Sequence, residues 1–454
     1  MTTTTWFCDW AWLPEGWTAD VRLTVAADGA LIAVAGGTHS EGCERLGRYV
    51  LPGVPNAHSH AFQFAMAGRA ERTAGGEDDF WSWREAMYRL TARFTPERLH
   101  AVASMLYAEL LANGYTAVAE FHYLHQLAAH ADGGTEAAGA LIAAARDTGI
   151  GLTLLPTLYQ RAGFDGRAPS DRQQRFVLAL DDYGALLEHL RAGDDGNRLT
   201  GVALHSLRAV STQAVAELLA SPAASGGPIH IHIAEQLVEV RDCVSAHGQR
   251  PVEWLLGQAP LDPRWCLVHA THMADAEVRA LAQSAASVAL CPSTEANLGD
   301  GLFRLVEFLD AGGRICIGSD SHIGLSPFEE LRWLEYGQRL AALKRNRVAS
   351  AQQPSCGERL WRAVLDGGAH ALGRPIGALA PGHRADWLVL DPELAAFAAC
   401  PPQQWLDGLI FAAQRSPVAS TYVGGRKVAE GGRHVDHPRI ADRFARAMRE
   451  LWAP

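Results

Sequence analysis

With 454 residues, 48% of them hydrophobic and 20% charged, the chain can bury a large core and has the composition of an ordinary globular protein. A formal net charge of −10 argues against nucleic acid as a partner, because such binding rests on clustered Lys and Arg. No uncharged apolar run reaches the ~18 residues of a membrane span, Met1–Trp6 carries no basic-then-apolar leader, and the eight cysteines are scattered without a C-x-x-C pair. A cytoplasmic protein with free thiols is therefore expected, with neither a nucleic-acid nor a membrane partner.

In chain order, the first legible element is residues 19–35 (ADVRLTVAADGALIAVA), which alternate apolar and polar around an Ala-Asp-Gly turn, as a β-hairpin does. From about residue 51 the pattern changes to short apolar runs separated by Ala- and Leu-rich helical stretches, which implies parallel strands joined by helical crossovers. Strands are expected near 51–57, 115–121, 151–158, 200–205, 228–233, 265–270, 287–291 and 314–319. Eight such strands close a TIM-like (β/α)8 barrel of the α/β class. Beyond it, 385–390 (ADWLVL) and 420–428 (STYVGGRKV) return to strand-like alternation. The expected organisation is a small β-sandwich domain assembled from residues 1–50 and 376–454, the latter ending in a helix, around a metal-dependent barrel over 51–375.

Barrels of this kind keep their chemistry at the C-terminal ends of the strands. Here those ends carry His58-Ser59-His60, His230-Ile231-His232-Ile233-Ala234-Glu235, His269 and Asp320. Residues two apart on a strand point to the same side, so His58 and His60 can face one ion. A lone H-x-H pair has a bland alternative, two histidines satisfied by backbone carbonyls. Histidines ending strands one, five and six together with an aspartate ending strand eight make a metal site the better reading. His230 competes with His232 on residue direction alone.

This pattern resembles the amidohydrolase superfamily, in the branch that lacks a bridging lysine on strand four; that strand here ends Leu204-His205-Ser206. The segment Pro381-Gly382-His383-Arg384-Ala385-Asp386 before 387–390 is similar to the returning β domain of the same superfamily. The resemblance implies one divalent metal ion held by His58, His60, His232 and Asp320, with Zn2+ expected and Fe2+ as the alternative. It also favours His232 over His230, since the family places a Glu three residues after the ligand. An ion there would bring the pKa of water from ~15.7 toward ~7. Asp320 would accept the proton that water loses, Glu235 would carry it to a leaving nitrogen, and His269 would stabilise the tetrahedral adduct. The plain alternative for Glu235 is a solvated surface carboxylate.

Further segments narrow the resemblance to the N-formimidoyl-L-glutamate deiminase family: His60-Ala61-Phe62-Gln63, Phe80-Trp81-Ser82-Trp83-Arg84-Glu85, Glu120-Phe121-His122-Tyr123, His205-Ser206-Leu207-Arg208 and the run from Cys291 to Gly301. A small dianionic substrate derived from an amino acid is then expected. Arg84 and Arg208, each placed on a loop, would hold its two carboxylates, and Gln63, Tyr123 and His205 would supply neutral hydrogen bonds. Arg84 pairing with Glu85, and Tyr123 in the core, are the dull alternatives. Trp81 and Trp83 are expected to pack a lid or a subunit interface, and relatives of this type lead to the expectation of a homodimer. The nearest rival is a nucleobase aminohydrolase with the same metal site; a non-catalytic barrel scaffold would have shed ligands that are all present here.

Overall fold

Strands that are apolar without interruption and strands that alternate fall into two different sheets in this computed structural model, which describes residues 3–69, 71, 80–127 and 134–453. The strands are β1 (Thr3–Leu13), β2 (Gly16–Ala26), β3 (Leu31–Ala35), β4 (Glu44–Pro52), β5 (Val54–Ser59), β6 (Tyr115–His122), β7 (Gly151–Leu158), β8 (Arg198–Thr200), β9 (Val202–Ser206), β10 (Ile229–Ile233), β11 (Trp265–His269), β12 (Ser287–Leu290), β13 (Arg314–Ile317), β14 (Trp387–Leu390), β15 (Val418–Val423), β16 (Arg426–Glu430) and β17 (Arg433–His434). Every residue of β5, β6, β7, β10 and β11 is buried, as parallel strands covered on both faces require.

These buried strands form the barrel, in the order β5-β6-β7-β9-β10-β11-β12-β13, with the short β8 beside β7. The ring closes between its first and last strands. A parallel bridge joins Ser59 to Asp320, where the His60 amide donates to the Asp320 carbonyl at 3.2 Å and the Asp320 amide to the His58 carbonyl at 3.0 Å. Gly318 permits this approach, because a Cβ there would lie 2.6 Å from the His58 Cβ and 2.8 Å from its backbone nitrogen.

The terminal strands join in one path, β17-β16-β15-β14-β4-β1-β2-β3. The expected hairpin over 19–35 is present as β2 and β3, and β1, which the alternation did not single out, pairs with β2 along its whole length. The β3 end of the path curls back onto the segment that leads into β14: Ala385 donates to the Gly29 carbonyl and Ala30 bridges to Arg384. Val21, Leu23, Leu31, Trp387 and Tyr422 fill the space enclosed. Two boundaries differ from expectation. The run expected as one strand over 51–57 is divided, with Leu51 and Pro52 ending β4 in the terminal sheet and β5 starting at Val54. Within the C-terminal portion, Ala395–Ala399 and Trp405–Phe411 are helical and bury Phe397, Trp405 and Leu409 in the core continuous with the barrel. Among the described residues, no helix is long and apolar enough to cross a membrane.

Candidate active site

His58 and His60 leave the end of β5 and His232 leaves β10, and their side chains converge. The His58 Nε2 lies 3.1 Å from that of His60 and 3.0 Å from that of His232. Each of the latter two rings is oriented from behind: His60 Nδ1 donates to the Phe121 carbonyl at 2.8 Å and His232 Nδ1 to the His205 carbonyl at 2.9 Å. Their Nε2 atoms therefore carry lone pairs. Burial, reinforced by the neighbouring imidazoles, brings His60 down to about 3 and holds His58 and His232 well below the ordinary value. Asp320 adds a carboxylate oxygen 3.3 Å from His60 Nε2 and 3.5 Å from His58 Nε2. Neutral nitrogens and a carboxylate crowded this closely repel unless a cation lies between them, so the donor set fits a divalent metal ion. His230, the alternative to His232, lies deeper and donates from Nε2 to the Ala371 carbonyl at 2.7 Å.

Beside this cluster stands His269. Its Nδ1 donates to Glu295 Oε1 at 3.2 Å, and its Nε2 lies 3.8 Å from Glu235 Oε1 and 3.9 Å from Asp320 Oδ2. Burial works against a charge on this ring, but Glu235, the Glu295 hydrogen bond and Asp320 outweigh it and push His269 up to about 10. Glu235 occupies the loop between β10 and the helix Leu237–His247. Burial raises its carboxyl to about 7 against the pull of His269, so it is not the solvated surface group of the plain alternative. Ala234, His269, Ala270, Asp320 and His322 all have positive φ. Such conformations cost about 1–3 kcal/mol each and collect where geometry serves a site.

A cavity opens from this cluster to the surface. It is lined by all five residues expected to bind substrate: Gln63, Arg84, Tyr123, His205 and Arg208. Gln63 Nε2 donates to the Tyr123 hydroxyl at 2.9 Å, and Gln63 Oε1 is buried without a partner among the described residues. Arg84 lies on the helix Phe80–Thr91 and not on a loop, with its guanidinium 5.3 Å over the Tyr88 ring. Glu85, the partner considered for it, pairs instead with Arg172. Arg208 is in the turn after β9. Trp83 also lines the cavity, while the side chain of Trp81 lies outside the described residues.

Residues 49–428 match the amidohydrolase family, and residues 3–48 match the N-terminal domain of formimidoylglutamate deiminase HutF. The chain belongs to the amidohydrolase family. This amidohydrolase is 49% identical over 451 residues to the formimidoylglutamate deiminase of Pseudomonas aeruginosa, covering 98% of the present chain and 99% of that protein. A 5-methylthioadenosine/S-adenosylhomocysteine deaminase of Natronomonas pharaonis is 28% identical, with 91% and 89% covered. In three dimensions the fold is similar to the crystal structure of an amidohydrolase from Brucella melitensis, with a TM-score of 0.94, 42% identity, and 99% and 100% of the two chains covered.

Several residues of the amidohydrolase site escaped the reading of the sequence. Arg161 lines the cavity and donates from Nη2 to the Leu207 carbonyl at 3.1 Å. It stands three residues past the end of β7, so the strand-end rule that found Glu235 would have found it. Glu120, at the end of β6, accepts from Ser59 Oγ at 2.6 Å, from the Ala61 amide at 2.6 Å and from the Tyr107 hydroxyl at 3.2 Å. It thereby braces the segment that carries His58 and His60. Asp300 packs its carboxylate beside Glu235 and His269 and accepts from Gln236.

Proposed function

We infer that the protein hydrolyses N-formimidoyl-L-glutamate to N-formyl-L-glutamate and ammonia. The observation that carries this reading is one cavity holding the imidazole cluster, the Glu235–His269 pair, and two guanidiniums, Arg84 and Arg208. The 49% identity to a formimidoylglutamate deiminase over nearly the whole chain supports it.

In this reading His58, His60, His232 and Asp320 hold one divalent ion. Zn2+ suits three imidazole nitrogens and a carboxylate, with Fe2+ as the alternative. Such an ion supplies Lewis acidity and makes water acidic enough to attack at neutral pH. Asp320 and Glu235 then manage the protons. Asp320, which faces both His58 and His60, accepts one from the attacking water. Glu235, raised to about 7 first by burial, gives one to the imino nitrogen; the proton held by Asp320 then reaches the same nitrogen as its bond to carbon breaks and ammonia leaves, and the adduct's hydroxyl proton returns to Glu235. His269, charged and anchored by Glu295, points its Nε2–H at the oxygen of the tetrahedral adduct.

Arg84 and Arg208 each take a carboxylate, for which a planar guanidinium is the best-matched donor. Gln63 Oε1, the Tyr123 hydroxyl and the His205 ring meet the remaining polar atoms. A cytoplasmic location accords with eight cysteines that are all unpaired, and a homodimer is part of the same reading.

The test is ammonia release by the zinc-loaded protein from N-formimidoyl-L-glutamate, with guanine, adenosine and cytosine in parallel. Turnover of the formimidoyl compound alone is expected. Turnover of a nucleobase or nucleoside instead would retain the metal chemistry and overturn the substrate.

A further inference from the structure

Asp300 enters the site from the turn after the helix Pro292–Leu298, between Gly299 and Gly301, whose φ values are 70° and 122°. Backbone of this kind suits glycine, and it turns Asp300 inward until only 4% of the residue is exposed. The Asp300 amide donates to the Glu295 carbonyl at 2.9 Å, and Asp300 Oδ1 accepts from Gln236 Nε2. Gln236 directly follows Glu235, and Glu295 anchors the His269 ring. Asp300 thus ties together the segments that carry Glu235 and His269. One carboxyl oxygen of Asp300, one of Glu235 and a ring nitrogen of His269 lie within 4.8 Å of one another. Asp300 Oδ2 is buried and has no hydrogen-bond partner among the described residues.

Five buried carboxyls crowd this corner, Glu235, Glu239, Glu295, Asp300 and Asp320, with the His269 imidazolium and the Arg208 guanidinium as the cations beside them. Like charges so close cannot all be carried. Glu295 accepts from His269 Nδ1 at 3.2 Å and from the Cys291 amide at 2.9 Å. Glu239 accepts from the Glu235 amide at 3.2 Å and has Arg208 nearby, and Asp320 faces His58 and His60. Asp300 has a neutral amide on one oxygen and nothing on the other. A buried carboxyl so placed keeps its proton. Burial first, and then the Glu235 carboxylate, push Asp300 from 3.8 up to about 9 against the pull of His269. The His272 ring meets the Asp300 backbone carbonyl and not its carboxyl, and Arg304 on the same loop is engaged by Asp275 and Glu307.

We propose that Asp300 is a positioning residue of the reaction, a neutral carboxylic acid that accepts from Gln236 through Oδ1 and donates from Oδ2 to the Glu235 carboxylate. This role rests on Glu235 being the proton carrier of the proposed reaction. Once Glu235 has passed its proton to the imino nitrogen, it is left as a buried carboxylate, and the Asp300 O–H steadies that charge until a proton returns. The Asp300 proton stays on Oδ2 throughout, and no bond to substrate is made. An ionised Asp300 does the reverse, since it repels the Glu235 carboxylate and holds back the proton that the nitrogen needs.

The experiment compares Asp300→Asn and Asp300→Ala with the wild type, all zinc-loaded, in steady-state ammonia release across pH. Asn keeps one donor and one acceptor, so its kcat near neutral pH should stay within about threefold of the wild type. Asp300→Ala should lose about ten- to a hundredfold in kcat with little change in KM. The kcat of Asp300→Asn relative to the wild type should rise as the pH passes about 9, because an amide cannot ionise. Infrared difference spectra of the wild type against Asp300→Asn should show the C=O band of a protonated carboxyl near neutral pH, fading over the same range. An Asp300→Asn protein as slow as Asp300→Ala, a kcat ratio flat in pH, or a missing acid band each overturns the role. A purely structural part would lower the melting temperature of Asp300→Ala and leave that ratio flat. If a nucleoside turns over in place of the formimidoyl compound, the substrate reading falls, and the same ratios and band, read with that nucleoside, decide Asp300.

Discussion

Asn56 and Ser319, 263 residues apart, clasp the two ends of the barrel: Asn56 Nδ2 donates to Ser319 Oγ at 2.7 Å, and the Ser319 amide donates to Asn56 Oδ1 at 3.1 Å. Both residues are fully buried, and each neighbours the segment that carries metal-type ligands on its own strand. Replacing Asn56 by Ala leaves the buried amides of Ser319 and His58 without their shared acceptor, while Ser319 Oγ keeps His322 Nδ1, at a cost of about 1–3 kcal/mol for each unsatisfied group. Asn56→Ala should therefore lower the denaturation midpoint and loosen the grip on the ion. Urea unfolding and titration with a chromophoric chelator measure the two effects.

Glu235 is close to His269 but is not among the converging nitrogens and carboxylate that fit the ion. Glu235→Gln keeps its shape and removes its proton chemistry, so turnover should fall by about 10²–10⁴ while metal content stays at the wild-type value. Near-normal ammonia release from the variant would remove Glu235 from the proton path.

Arg84 and Arg208 should act through binding. With Met at either position a charge-assisted bond to a carboxylate is lost, worth about 1.5–3 kcal/mol, and KM should rise by about ten- to a hundredfold with a smaller change in kcat. Arg161, whose Nη2 is engaged by the Leu207 carbonyl, should show a weaker effect. Steady-state kinetics on the three Met variants order them, and unchanged KM values for Arg84→Met and Arg208→Met would sink the dicarboxylate reading.

Glu330 gives a pH signature remote from the ligands. Buried completely, it accepts from the Ser293 amide at 2.9 Å and the Ser293 hydroxyl at 2.5 Å, and burial pushes its carboxyl from 4.5 up to about 8. Between those values the folded chain keeps a proton that the unfolded chain releases. Its contribution is thus fully present below pH 4.5 and is lost as the pH rises toward 8, by at most ~1.4 kcal/mol per unit. The melting temperature of Glu330→Gln, whose amide stands in for the protonated carboxyl and does not titrate, should rise relative to that of the wild type between pH 5.5 and pH 8. An equal difference at both pH values would show that Glu330 is ionised throughout.

The converging histidines were legible because strand periodicity and the strand-end rule act within a few residues: His58 and His60 share a side by spacing alone, and Glu235 follows His232 by three residues. Glu120 was not, because the partners that give it meaning, Ser59, Ala61 and Tyr107, sit on another strand, the short 3-10 helix after it and a longer helix. Arg84 was placed on a loop because the helix Phe80–Thr91 has a mixed, Trp-rich composition without a clean apolar stripe. The division of 51–57 between two sheets hinges on the single residue Gly53, which no periodicity distinguishes from a strand interior.

The bonds that close the barrel run through the backbone of His58, His60 and Asp320 themselves. The first and last strands must therefore meet before the full set of ligands proposed above exists. A chain stopped short of Asp320 during synthesis, or one whose ring has opened, offers scattered imidazoles to any passing ion and nothing that grips it. Uptake of an ion by these residues would in this sense be a checkpoint on the finished ring, and the ion, once bound, would resist its reopening, since separating the two strands would also pull the proposed ligands apart.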